Sequence, residues 1–149
     1  MPCVVVDRHR RRPLAAGRLA RAADRALAAL GRPGADVDVL VVDDVEIRRL
    51  NAVWRGVRRR TDVLAFPMET LGGRGHVGQI VISMDTADRQ ARRVGVPLGE
   101  ELELLVTHGV LHLVGYDDRD PVEGRLMHER ERAILGPRAS RRLWTGLLT

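Results

Sequence analysis

The stretch THGVLHLVGYDDRD, residues 107–120, sets two histidines four apart in an aliphatic run and then breaks into Gly115-Tyr116-Asp117-Asp118. It closes the segment Leu98–Val114, introduced by Pro97, whose leucines and valines mark it as the most buried helix of the chain. On a helix, residues four apart lie one above the other on a single face, so His108 and His112 aim two ring nitrogens at one point. Gly115, just past the last apolar residue, can adopt the left-handed conformation that ends a helix and folds the chain back. That return carries Asp117 and Asp118 toward the histidines. Two imidazoles on an apolar face need partners for their ring nitrogens: they are either core histidines bonded to backbone or ligands of one shared cation. The glycine break and the aspartates favour the cation, with His108, His112 and Asp118 as three protein ligands and a fourth position left for water, the catalytic zinc arrangement. Asp117 is the competing ligand, or else a turn-forming aspartate.

Position 109 narrows the chemistry. Zinc peptidases of the HExxH pattern carry their general-base glutamate there, and this chain has glycine. Metal-assisted phosphodiester cleavage needs no base at that position, whether water or a ribose 2′-hydroxyl attacks. The missing glutamate therefore speaks against proteolysis and leaves nucleic-acid cleavage open.

Outward from this helix, periodicity supplies the other elements. Cys3–Asp7 reads as a short strand, Pro13–Leu30 as an amphipathic helix ended by Gly31 and Pro33, and Asp36–Val42 as a central strand. Asp43 and Asp44 can cap a helix with Val45, Ile47, Leu50 and Trp54 as its apolar positions. Asp62–Phe66, stopped by Pro67, and Gln79–Ser83, entered from the glycine-rich stretch 72–78, are two strands able to pair. Thr86–Val94 is a short polar helix. Asp120-Pro121-Val122-Glu123 has the cap, proline and glutamate that open a last helix, through Leu135. The expected architecture is α+β: a single domain, residues 1–149, with a small mixed sheet packed by helices, the metal site at the end of the buried helix and a basic tail over residues 136–149.

Composition sets bounds. At 149 residues the chain can bury one core without disulfides, and its single cysteine, Cys3, leaves any metal to histidine and carboxylate. No run approaches the ~20 apolar residues of a membrane span and none resembles a signal peptide, so a cytoplasmic location is expected. All 25 basic side chains are arginine against 20 acidic ones. Arginine suits bidentate phosphate contacts, although such a bias also follows from a GC-rich genome. Arg58, Arg59 and Arg60 either extend a phosphate-binding surface or form a hydrated loop. Aromatics are 3% of the chain, so grip on the backbone is expected over reading of stacked bases. His76 and His128 are expected to face solvent. The run His9–Arg12 is expected to be hydrated or to touch RNA. The glycines of 72–78 lack the Lys-Ser/Thr of a phosphate-binding P-loop.

HGVLHLVGYDD resembles the histidine signature of the YbeY family of bacterial endoribonucleases. LNAVWRGVRRRTDVLAFP, residues 50–67, is similar to the family's upstream motif, and VGQIVIS, DRQA and the DPVE helix have counterparts in the same order, over roughly residues 36–135. The resemblance implies a cytoplasmic, zinc-dependent, single-strand-specific endoribonuclease of ribosomal RNA processing and ribosome quality control, acting at the 3′ end of small-subunit ribosomal RNA. It implies three histidine ligands. Two carry over to His108 and His112, and the third falls on Asp118, a departure that lowers the acidity expected of a bound water and opens the site to other divalent metals. Arg55 matches the arginine of the aromatic-Arg pair and is expected to grip the scissile phosphate; the plainer alternative is an arginine complementing a helix end. Thr61 and Asp62 are expected to organise the strand entry. Partners implied are single-stranded ribosomal RNA and the ribosome or its small subunit. Two other functions stay open: a non-enzymatic ribosome-assembly factor that keeps the basic surface, and, less favoured, a metalloprotease.

Overall fold

The computed structural model describes residues 3–9, 14–56, 62–68, 75–117 and 120–136. The apolar run of Asp36–Val42 makes an interior strand, β2, because both of its faces are covered. Strand β1 (Val4–Asp7) pairs with it in parallel on one side and β4 (His76–Ser83) on the other. Strand β3 (Val63–Pro67) runs antiparallel along the far edge of β4, giving the order β1-β2-β4-β3. Helices α1 (Ala16–Ala29), α2 (Asp44–Arg55), α3 (Met84–Val94), α4 (Leu98–Leu113) and α5 (Pro121–Leu135) complete one α+β domain among the described residues.

Period-2 alternation divides the sheet's side chains between two cores. Val37, Val39 and Val41 of β2 and Ile80 and Ile82 of β4 meet Leu19, Ala23 and Leu27 of α1 and Leu102, Leu105, Val106 and Val110 of α4. On the opposite face Val42, Val81 and Leu64 meet Ile47 of α2, with Leu40, Leu50 and Phe66 partly buried around them. The second cluster is the smaller; among the described residues α2 is the helix that covers it.

Three helix starts are held by side chains that relieve unpaired amides. Asp43 accepts from the Glu46 N–H at 2.8 Å, Ser83 from Thr86 N–H at 3.2 Å, and Asp120 from the N–H groups of Val122 and Glu123 at 2.9 Å each. The Asp120-Pro121 start is thus where the sequence puts it. Other boundaries move. α1 begins at Ala16, since Ala15 supplies no capping side chain; α3 begins at Met84, whose side chain is fully buried. β4 starts at His76 rather than Gln79, because the register slips by one residue between Asp36 and Asp38 and Gly78 takes up the bulge at φ +151°. Of the apolar positions assigned to α2, Ile47 is buried, whereas Val45 and Trp54 are 78% and 69% exposed. Val45 is on the solvent side, and Trp54, near the end of the helix, meets only the edge of Phe66 among the described aromatic rings. The basic tail, residues 137–149, lies outside the described residues.

Candidate metal centre

Helix α4 is brought against the sheet by two glycines. A Cβ on Gly109 would stand 2.8 Å from Cγ2 of Ile80, and one on Gly78 would stand 2.4 Å from the Phe66 carbonyl oxygen and 2.7 Å from a methyl of Leu113. Position 109 therefore faces β4 and has no room for a side chain. The absent glutamate of the HExxH pattern has a packing cause as well as a chemical consequence: on this helix a base at 109 would be driven into the core, away from the histidines.

His108 is 8% exposed, and His112, one turn later, is half-buried. Their Nε2 atoms face each other at 3.0 Å, with ring centroids 4.6 Å apart and the planes nearly perpendicular at 77°. The other nitrogen of His108, Nδ1, lies 2.6 Å from Oε1 of Glu131, a fully buried carboxylate on α5. A carboxylate oxygen only accepts, so Nδ1 carries the proton and Nε2 of His108 presents a lone pair toward His112. Two nitrogens this close require something positive between them, either a proton donated by His112 or a cation taken by both. Imidazole nitrogens on one tetrahedral zinc, each about 2.0–2.1 Å from it, lie about 3.3 Å apart. The observed separation fits with a shift of a few tenths of an ångström. The carboxylate–histidine pairing that fixes the ring is also the usual support of a metal-binding imidazole.

Sequence reasoning missed Glu131. It sits in HERER, a run that looks like a solvated helix face, but it is one turn from Met127 and two from Gly124, both buried. That stripe was the available signal. His128 is half-buried rather than solvent-facing, with Nδ1 3.8 Å from Oε2 of Glu131.

The turn after α4 forms as predicted. Gly115 takes φ +107°, its N–H donates to the His112 carbonyl, and the Tyr116 N–H donates to that of Leu111, the paired bonds of a Schellman end. Asp117 follows, half-buried beside a hollow lined by Val114, Tyr116, Glu123 and Leu126. The third ligand assigned from sequence, Asp118, lies outside the described residues, as do Arg58, Arg59, Arg60 and Thr61. Among the described residues no third His, Cys, Asp or Glu joins the pair in a metal-holding group. Cys3 offers no thiolate, since burial and the Asp24 carboxylate 2.9 Å away push its thiol up to about 12.

Arg55 ends α2, exposed, and no hydrogen bond or ion pair joins it to the histidines among the described residues. Topology nonetheless brings them to one end of the sheet. Gly109 lies over Ile80 and Leu113 over Gly78, so α4 runs back toward the start of β4. There β3 is finishing, and Trp54, next to Arg55, meets Phe66 of β3 edge to face at 6.4 Å. Arg55 and the histidine pair thus sit near the same end of the sheet, on helices that pack against its opposite faces.

The remaining predicted residues have structural work. His9 is buried rather than hydrated, its Nε2 2.9 Å from Asp85. His76 is half-buried, 3.0 Å from Asp38. Asp62 organises the strand entry as expected: its carbonyl accepts from the Ser83 N–H, and its carboxylate lies 3.4 Å from the Gln90 amide.

A family model described as Endoribonuclease YbeY matches residues 8–138. The chain belongs to the YbeY family. Proteins of that name include one from Aquifex aeolicus, 41% identical over 133 residues that cover 88% of this chain and 89% of the relative. Another, from Anaeromyxobacter dehalogenans, is 48% identical over 118 residues, 78% of this chain. This YbeY-family chain spans 61% and 65% of the lengths of the two Anaeromyxobacter relatives it matches. The solution structure of TM1509 from Thermotoga maritima superposes with a TM-score of 0.60 at 23% identity, over 98% of this chain and 91% of that one, and shares its fold.

Proposed function

We propose that the protein is a zinc-dependent endoribonuclease that cuts single-stranded RNA during ribosomal RNA processing, at the 3′ end of the small-subunit RNA, in the cytoplasm. The observation that carries this is the His108–His112 pair, Nε2 atoms 3.0 Å apart, with His108 locked by a buried glutamate. His108, His112 and Asp118 hold the metal, and Glu131 keeps His108 in the tautomer that ligation requires. When bound, zinc supplies a Lewis acid and a water acidic enough to react near neutral pH. Arg55 grips two oxygens of the scissile phosphate and offsets the charge that grows on them as the bond breaks. Arg58, Arg59 and Arg60 hold the neighbouring backbone, and membership of a family named for endoribonuclease activity supports the reaction class.

A second reading, a ribosome-assembly factor without cleavage activity, is favoured by one feature only, the aspartate where the family resemblance puts a third histidine. Metal analysis of the purified protein and of Asp118→Ala, followed by cleavage of a single-stranded RNA with and without chelator, separates the two. The nuclease retains about one zinc per chain and loses cleavage on chelation. A protein that holds no metal and cuts no RNA refutes it. Arg55→Ala is expected to depress cleavage by about 10²–10³-fold, the scale of losing one donor to a developing charge, with thermal unfolding unchanged.

A further inference from the structure

Trp54 is out of place for an apolar residue. It shares the sheet-facing side of α2 with Ile47, which is completely buried, yet it is 69% exposed. Its position is still fixed, because Phe66 of β3 meets it edge to face at 6.4 Å and an interplanar angle of 65°, and Phe66 is itself seated on the second core. Half of the chain's four aromatic side chains are spent on this contact. Around it the last nine residues of α2, IRRLNAVWR, carry Arg48, Arg49 and Arg55, all exposed, and no acidic residue. Arg48 and Arg55, seven apart, lie on one stripe of the helix beside the indole.

We propose that Trp54, braced by Phe66, is a stacking platform for one unpaired base of the RNA, the base adjoining the phosphate held by Arg55. The proposal rests on the endoribonuclease reading and adds to it a base subsite. An exposed aromatic face flanked by cations matches a nucleotide, whose flat apolar base and charged phosphate need those two surfaces side by side. A protein-docking patch would instead be expected to present a broad apolar surface with its charges at the rim. Because every base has a π-face, the platform orders the strand without reading its sequence.

The test uses the full chain carrying Trp144→Phe, so that Trp54 is the only tryptophan, with chelator present to prevent cleavage. Titration with a single-stranded pyrimidine oligoribonucleotide is expected to quench Trp54 emission. In the wild-type background Trp54→Leu, equally apolar but without a ring, should weaken binding by about tenfold, within the range for loss of one base–aromatic stack. Trp54→Phe should stay within about threefold, and both should keep the wild-type dependence of binding on salt, since the phosphate contacts are unchanged. An oligonucleotide backbone lacking all of its bases should bind wild type and Trp54→Leu alike. If Trp54→Leu binds RNA as tightly as wild type, or emission is unmoved at saturation, the platform is refuted while the nuclease reading stands, and the patch belongs to a protein partner. If wild type itself neither binds nor cuts single-stranded RNA, both fall.

Discussion

A methyl group at Gly109 would meet Ile80 at a distance that real side chains avoid, and Ile80 lies on β4, one of the two interior strands of the sheet. Gly109→Ala is therefore expected to lower stability by about 1–2 kcal/mol, an overpacking cost reduced by alanine's better helix propensity; urea denaturation measures it. Glu131 acts at the other side of the same helix. Glu131→Gln keeps the shape but removes the charge that orients His108, and zinc retention in a chelator competition should fall about 10–100-fold while the fold survives. A second buried carboxyl, Glu101 at the start of α4, behaves differently: burial and nearby Asp62 push it up to about 7, against the opposing pull of Arg93. Its folded value is raised, so the folded state holds a proton that the unfolded chain releases near 4.5. Stability should decline from pH 4.5 to 7 and then level off. Glu101→Gln should be the more stable protein at pH 8, with the advantage shrinking as the pH is lowered to 4.5 in thermal melts. His108, His112 and Gly115 were legible as residues because spacing and glycine conformation are local properties. Glu131 was not, because its partner is 23 positions away and charged neighbours mask the buried stripe it shares.

The starts of α2 and α3 form one unit, tied by carboxylates instead of apolar contact. Asp44 accepts from Ser83 Oγ at 2.6 Å, Thr86 Oγ1 at 2.7 Å and Arg89 Nη2 at 2.7 Å, while Asp85 accepts from the Asp44 N–H and lies against His9, both at 2.9 Å. Burial alone would raise both carboxyls. The hydrogen bonds outweigh it, those of Ser83, Thr86 and Arg89 on Asp44 and those of the Asp44 amide and His9 on Asp85, so both fall below the ordinary 3.8. Groups depressed in the folded state stabilise it above their unfolded value, and that contribution is lost as the pH falls further. The wild type should therefore lose stability below about pH 4 more steeply than Asp44→Asn, which begins lower at neutral pH; denaturation followed at stepped pH checks both slopes. The sequence showed Asp43 and Asp44 as capping candidates, and Asp43 is the cap. It did not show that Asp44 reaches 39 to 45 residues ahead, since only the parallel pairing of β2 with β4 makes the two helix starts neighbours.

For the molecule as a whole, element order and type were legible because hydrophobic periodicity is strong in β2, β4 and α4. Strand order was legible in part: the expected pairing of β3 with β4 in a mixed sheet forms, but nothing in these segments states that β4, and not β3, lies beside β2. Exposure was misjudged near a helix end, as at Trp54, or where a polar residue found a distant ion partner, as at His9. The antiparallel run of β3 brings its end beside the start of β4, with the helix that carries Arg55 on one face of the sheet and the helix that carries the two imidazoles on the other. Layers packed face to face on a sheet lie about 10 Å from it, so a chain that touches groups on both sides must bend around the strand end. An unpaired polynucleotide does this readily, whereas a duplex, stiff over many base pairs, runs past the strand end and misses one side. Hybridising the substrate to its complement should accordingly abolish cutting within the paired segment and leave its unpaired flanks susceptible, as gel analysis of the fragments would reveal. On the proposed nuclease reading, the bend around that strand end disfavours paired RNA before any base is stacked on Trp54.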